Sequence, residues 1–410
     1  MKESSMRNTA VVALVLLTAS ASATDWPQWR GPARDGRANL APRATLPEAL
    51  APAWKVVVGE GHASPVVAGD RVYVFSREGE EEVLQALELA TGKSTWRAPY
   101  PAPYTTNSAA TAHGKGPKST PTVAGGRVFT FGIGGVLSAF DAASGRLAWR
   151  KEPGPEYGQG SPLYGVALSP VVDGGRVIVH VGGPGKGALT AFDTATGAVR
   201  WAWKGDGPAY ASPVVATIGG VRQIVTFSES FLVGVSADRG ELLWKIPFTT
   251  PWVQNAVTPV VDGDRVVYSG LEQPVRAIRV VRGASGWTTQ PLWENPDVAA
   301  YMSTPVLEGG RLYGLSHRKR GQFFCLDAAT GRVVWLSEGR LGDNAALVAG
   351  GGMVFALTTE ADLFVLPQKG DAFAPSRRYR VASSPTWAHP VVTGEGVLVK
   401  DRDSLAYLRF

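Results

Sequence analysis

The chain has 410 residues, 44% of them hydrophobic and 19% charged, with 49 glycines, 29 prolines, 13 tryptophans and a single cysteine. That apolar content excludes a disordered chain, and one cysteine excludes an intrachain disulfide framework. A net charge of +6, from 41 basic and 35 acidic residues scattered through the sequence, is too weak a signal for a nucleic-acid binder.

Residues 1–23 combine a basic start (Lys2, Arg7), an apolar run over 10–19 and a small-residue cleavage site at Ala21, Ser22 and Ala23. This pattern predicts a secretory signal, too short to span a membrane, ahead of a mature domain over 24–410. With no cysteine beside the cleavage site, the expected product is exported, periplasmic or extracellular, and not lipid-anchored. The mature sequence opens on DWPQWRGPARDG over 25–36. A lone strand with an outer-strand tryptophan, APAWKVVV around Trp54, follows.

Eight repeats come next, each opening on a Ser-Pro-like step at Pro65, Pro121, Pro170, Pro213, Pro259, Pro305, Ala346 and Pro390. Their spacing of about 41 to 56 residues is that of propeller blades. Within a unit, apolar and polar residues alternate at period two, broken by glycine turns, which gives four strands. No helical period longer than a turn or two intervenes. The second half of the unit repeats as FDAASGRLAW, FDTATGAVRW and LDAATGRVVW. There Asp141, Asp193 and Asp327 are placed to accept backbone donors across a turn whose glycine takes positive φ.

Trp96, Trp149, Trp201, Trp244, Trp293 and Trp335 fall in the outer strands, where they are expected to wedge neighbouring blades together, as is Trp54. Two units deviate. In the fifth, Trp293 lies beyond a longer turn, and in the seventh Tyr379 stands in place of the tryptophan. The eighth stops at Phe410 without its tryptophan strand, so pairing with the strand of Trp54 closes the ring and leaves no open edge. The expected fold is therefore all-β: an eight-bladed β-propeller of four-stranded antiparallel blades, closed by the N-terminal strand in the last blade.

Residues just upstream of each opening step should ring one mouth of the central channel. His62, Lys118, Tyr210, Asn255, Tyr301, Asn344, Trp387 and His389 form the candidate ligand-binding set, a polar and aromatic mixture suited either to a small ligand or to a wet channel lining. Two inserts, over 98–118 and 151–167, fall beside this mouth. Cys325 reads as core filler, and the basic groups Arg318 to Arg320 and Arg377, Arg378 and Arg380 as solvated linkers. The five histidines show no metal-ligand spacing, and no nucleophile elbow or phosphate loop is present. Glu229 and Asp343, near blade junctions, are the carboxylates available to a catalytic reading, without a local motif to support them.

The Asp-x-x-Thr-Gly-x-x-x-Trp copies resemble the tryptophan-docking repeats of the pyrroloquinoline quinone (PQQ) family of propellers, over nearly all of the mature chain. The resemblance implies one of two branches: quinoprotein dehydrogenases, which hold PQQ and calcium on the axis, or non-catalytic, BamB-like envelope scaffolds. The adjacent cysteine pair and the haem-attachment motif of many dehydrogenases are both missing here. The leading expectation is a monomeric binding or scaffold protein of the bacterial cell envelope, with no catalytic residue, metal or cofactor and with an envelope protein, peptide or glycan as partner. The alternative is a PQQ- and calcium-dependent alcohol or sugar dehydrogenase.

Overall fold

The computed structural model describes residues 25–43, 45–157 and 160–410, so the predicted signal over 1–23 lies outside the described residues. The strands assemble into eight four-stranded antiparallel sheets arranged in chain order around an axis. Inner strands such as Arg71–Glu78 are buried on both faces because each blade is packed between two others. Outer strands such as Ser94–Pro101 are largely exposed, with Trp96 and Ala98 half-buried and Tyr100 buried on the inward face. In five blades the two innermost strands join through tight turns whose central residues both take positive φ, as Gly125 (56°) and Gly126 (73°) do, the twist that suits an antiparallel hairpin.

Strand Ala51–Val57 pairs with Ser404–Arg409, setting Trp54 opposite Tyr407, and completes the eighth sheet. The largest apolar cluster lies on this seam, joining Trp54, Val72, Phe355, Leu398 and Tyr407 with Trp26 and Leu46 from the N-terminal segment. Burial of this surface closes the ring noncovalently, at roughly 25 cal/mol per Å² removed from water.

Successive blades are tied at the rim by the outer-strand tryptophans. The indole nitrogens of Trp54, Trp96, Trp149, Trp201 and Trp293 donate to Leu89, Ala142, Thr194, Ala237 and Ala328 carbonyls in the next blade at 2.9 to 3.2 Å. Their rings cover Gly92, Gly145, Gly197, Gly240 and Gly331, leaving no room for a side chain there. Asp141, Asp193 and Asp327 each accept the backbone N–H three residues on, which shapes those turns. Trp244 faces the long fifth-blade hairpin instead, and donates to Gln223 of its own blade at 2.7 Å. Trp335 packs on Phe373, and Tyr379 donates its hydroxyl to the Pro47 carbonyl.

A second set of ties circles the axis. The backbone N–H groups of His389, Ser64, Thr120 and Ser169 donate to the hydroxyls of Ser64, Thr120, Ser169 and Ser212 respectively, at 2.8 to 3.1 Å. Thr258 and Ala345 extend the pattern to Thr304 and Ser303. The recurring Ser or Thr before the proline is thus a blade-to-blade acceptor for a buried donor.

Three sequence expectations need adjustment. The insert over 98–118 begins inside the outer strand Ser94–Pro101, and Lys151 of the second insert ends strand Leu147–Lys151. Arg377, Arg378 and Arg380 lie in strand Arg377–Arg380 rather than a linker. Arg378 and Arg380 face Asp362, and Arg377 donates to the Leu46 and Pro47 carbonyls, so these charges are used in holding the seventh blade and the N-terminal segment.

Candidate functional site

The opening segment DWPQWRGPARDG enters the central channel. Trp26 pairs with Val67 and Arg37 with Ala349, so the segment runs along inner strands of the first and seventh blades. Between those anchors two arginines are buried on the axis, Arg30 at 1% and Arg34 at 3% exposure. Arg30 donates to the carbonyls of Thr304 (3.1 Å), Pro305 (2.7 Å) and Asp35 (3.0 Å). Arg34 donates to Ser169 (3.0 Å), Pro170 (2.7 Å) and the Gln28 side chain (3.2 Å). Burial lowers the guanidinium of Arg30 to about 10 and that of Arg34 to about 9, and carbonyl dipoles converging from the inner strands keep both charged at neutral pH. Trp29 sits at the head of this plug. Its ring lies 4.3 Å from that of His389, and its nitrogen donates to the Thr258 hydroxyl at 3.1 Å.

Above Trp29 the channel widens into a cavity of about 550 Å³ with Trp29 in its lining. The innermost strands begin here. The residue three places before the opening proline lines the cavity in seven blades: His62, Lys118, Ala167, Tyr210, Ala256, Met302 and Trp387. Ser212 and Thr304, one place before their prolines, do so too. Strand alternation explains the choice, because odd offsets share one face and even offsets turn into the blade. Tyr301, at an even offset, also reaches the cavity and is held there by its hydroxyl, which donates to Gln254.

Of the eight candidate residues, His62, Lys118, Tyr210, Tyr301 and Trp387 come together around the cavity. Asn255, Asn344 and His389 do not line it. Asn255 is fully buried, donating to the Ser228 and Glu229 carbonyls at 2.9 and 3.0 Å while accepting from Thr250. Asn344 is buried in the junction of the seventh blade, and His389 lies beneath Trp29. Sequence reasoning passed over Trp29, Gln254, Trp252 and Tyr164, all lining residues from the plug or loops. Exact counting back from each proline would have preferred Ala256 to Asn255. The loop residues carry no comparable signal.

Two loops form the rim. The 3₁₀ turn Ser108–His113 of the first insert is capped by Asn107, which accepts from the Ala109 N–H at 2.9 Å. The second insert brings Leu163 and Tyr164. Lys118 ties the inserts together by donating to the Tyr164 carbonyl at 2.7 Å, and the Tyr164 N–H donates to the Tyr210 hydroxyl at 3.2 Å. Trp252, 73% exposed and in the left-handed region at φ 60°, stands at the opening.

Among the described residues Lys118 is the only cation lining the cavity at neutral pH, and no carboxylate among them lines it. Burial lowers the Lys118 ammonium to about 8. Burial foremost, with the charges of Lys400, His113 and Lys118 behind it, pushes His62 down to about 3, and burial with Lys118 also lowers His113. Both imidazoles are neutral at pH 7, edge-on at 6.0 Å and packed on Trp387 at 5.7 and 5.0 Å. Burial raises the hydroxyls of Tyr210 and Tyr301.

A quinone with calcium makes demands that this lining does not meet. Calcium requires several hard oxygen ligands, carboxylates foremost, and quinone-dependent oxidation needs a carboxylate base beside the substrate. The cavity offers amides, hydroxyls, imidazoles and one ammonium, so its donor set does not fit that pair. Glu229 is committed elsewhere, accepting from the Gly185 N–H at 2.8 Å, and neither it nor Asp343 lines the cavity. Among the described residues no cluster of three His, Cys, Asp or Glu side chains is placed to hold a metal.

Comparison with known proteins agrees with the ring. A family model described as outer membrane protein assembly factor BamB matches residues 80–337. The chain is 25% identical over 329 residues to BamB of Yersinia pestis, covering 77% of this chain and 68% of that one. It is 26% identical over 227 residues to BamB of Shewanella oneidensis, covering 53% and 55%, so this second match spans little more than half of its relative. Among solved structures, BamB from Moraxella catarrhalis superposes with a TM-score of 0.64 at 15% identity, over 88% of this chain and 98% of that one. A europium-containing methanol dehydrogenase superposes with a TM-score of 0.70 at 14% identity, over 94% and 98%. At such identities the two structures speak for the fold alone. With eight blades closed by the N-terminal strand and the family match spanning well over half its length, the chain belongs to the PQQ-like β-propeller family typified by the assembly factor BamB.

Proposed function

We propose that this protein is an exported binding propeller of the bacterial cell envelope, recognising its ligand or partner at the axial mouth without turning it over. The observation that carries this reading is the cavity lining: aromatic rings, amides and hydroxyls around one ammonium, with no carboxylate among the described residues, over a floor made by the chain's own N-terminal segment. Such a lining positions and desolvates a guest but supplies no carboxylate base and no metal-ligand set. The names of the relatives, outer membrane protein assembly factors, support an envelope setting and a protein partner. No helix among the described residues is long and apolar enough to cross a membrane. The signal-like residues 1–23 support export of the propeller over 24–410.

Two measurements test the reading. Expressed from its own start in a Gram-negative host, the protein is expected in the envelope fractions. The purified protein, given PQQ and calcium with methanol, ethanol or glucose, is expected to reduce an electron-accepting dye no faster than the blank. Cofactor-dependent dye reduction would overturn the proposal in favour of a dehydrogenase.

A further inference from the structure

We infer that the axial cavity takes a carboxylate borne on an apolar, ring-bearing body, with the carboxylate at Lys118 and the ring over Trp29. The inference deepens the reading of this cavity as a recognition site and rests on it. Three features converge on that chemistry. Lys118 lines the cavity without an ion-pair partner among the described residues, its one hydrogen bond going to the Tyr164 carbonyl at 2.7 Å. A half-buried ammonium without a counter-charge gains from an anionic guest, because part of its desolvation cost is already met in the folded protein. Beside it the Nε2 of His62 is buried without a hydrogen-bond partner, a polar atom left for a guest to satisfy.

The rest of the lining sets the body of the guest. Trp29, Trp387 and Met302 present flat or soft apolar surface, and more of the lining is apolar than polar. The rim continues that surface outward through Leu163 (42% exposed) and Trp252 (73%). A cavity of about 550 Å³ admits a fused ring or one or two aromatic residues, within the range of ordinary small-ligand sites. The same chemistry is offered by a free aromatic acid and by the C-terminal residue of a protein chain.

The test is calorimetric titration of the full mature protein at pH 7 with matched acids and amides. The first pair is 2-naphthoate and 2-naphthamide, and the second an N-acetylated tetrapeptide ending in Phe-Phe as free acid and as amide. In at least one pair the acid is expected to bind about 10- to 100-fold more tightly, the range of a charge-assisted hydrogen bond. Lys118→Met is expected to shrink that ratio below threefold while leaving amide affinity nearly unchanged. A tighter peptide acid assigns the guest to a chain end, and a tighter naphthoate to a free acid. Equal affinity of acid and amide in both pairs, or no heat from any of the four at millimolar concentration, overturns the inference. Because the acid-to-amide comparison is made on the unaltered protein, a Lys118 variant that misfolds does not blunt it. Dye reduction, in contrast, would sink the non-catalytic reading whatever the charge preference.

Discussion

Arg30 crosses the channel axis to donate to the carbonyl of Thr304, a residue 274 positions away in the chain, at 3.1 Å. Together with the bond to Pro305 it makes a fork that matches two successive carbonyls, as Arg34 does with Ser169 and Pro170. The two guanidiniums thereby join the third and sixth blades through a segment that belongs to neither. The same segment carries Trp29, so the architecture of the channel and the floor of the cavity are set together.

Arg30→Met is expected to destabilise the fold by about 2 kcal/mol, since it leaves buried carbonyls without donors. Arg30→Lys should recover little, because an ammonium lacks the planar fork that meets both carbonyls. Urea unfolding midpoints check both. A variant as stable as the parent would show that the arginine contributes nothing net to the plug.

Gly145 and Gly126 share a φ of 73°, but their surroundings differ. A methyl on Gly145 would come within 2.4 Å of the Trp96 ring, whereas one on Gly126 would meet nothing within 4 Å. Gly126→Ala is therefore expected to cost about 1 kcal/mol from backbone strain alone. Gly145→Ala should cost about 2 kcal/mol more through overpacking against the indole. Equal losses in thermal unfolding would rule out the ring contact as the reason for glycine.

Burial lowers His62 to about 3 and His180 to about 4, and holds His389 well below the ordinary value. The native state then binds fewer protons than the unfolded chain below the ordinary value of 6.5. Their contribution to stability is complete above pH 6.5 and is lost progressively as the pH falls toward 3 to 4. At pH 5 His62 and His180 are each expected to cost about 2 kcal/mol relative to pH 7.5. The urea midpoint should fall over this window, and His180→Gln should flatten the fall. An unchanged slope in that variant would remove His180 from the account.

Cys325 is fully buried among Tyr313, Phe323 and Trp335, and burial raises its thiol to about 11. An aromatic disulfide reagent at pH 8 should label it only as the protein unfolds, so that labelling tracks the denaturant transition. Rapid labelling of the folded protein would place the sixth blade among the elements that open locally.

The fold was legible because propeller geometry is written locally. Two-residue alternation, paired glycines at hairpins and the fixed distance from turn glycine to outer tryptophan recur in each regular unit. The tryptophan strand missing at the end reappears at the beginning, which announces the pairing of Trp54 opposite Tyr407. The irregular turns of the fifth and seventh blades also mark where the neighbouring tryptophans, Trp244 and Trp335, find other packing.

The cavity was half legible. Position relative to the opening proline found His62, Lys118, Tyr210 and Trp387, because strand alternation continues into the loop that feeds the strand, whereas Tyr301 reaches the cavity from an even offset through its bond to Gln254. It failed for Asn255 and Asn344, at even offsets, and for His389, an odd-offset residue covered by Trp29. Sequence by itself determined the eight-bladed ring and which face of each inner strand turns to the axis. Only the tertiary structure decided that 25–36 fills the channel, that Trp29 floors the cavity and that Lys118 is its unpaired charge. The physical reason lies in the partners: Arg30, Arg34 and Lys118 are held by backbone carbonyls, which every residue carries and no side-chain pattern records.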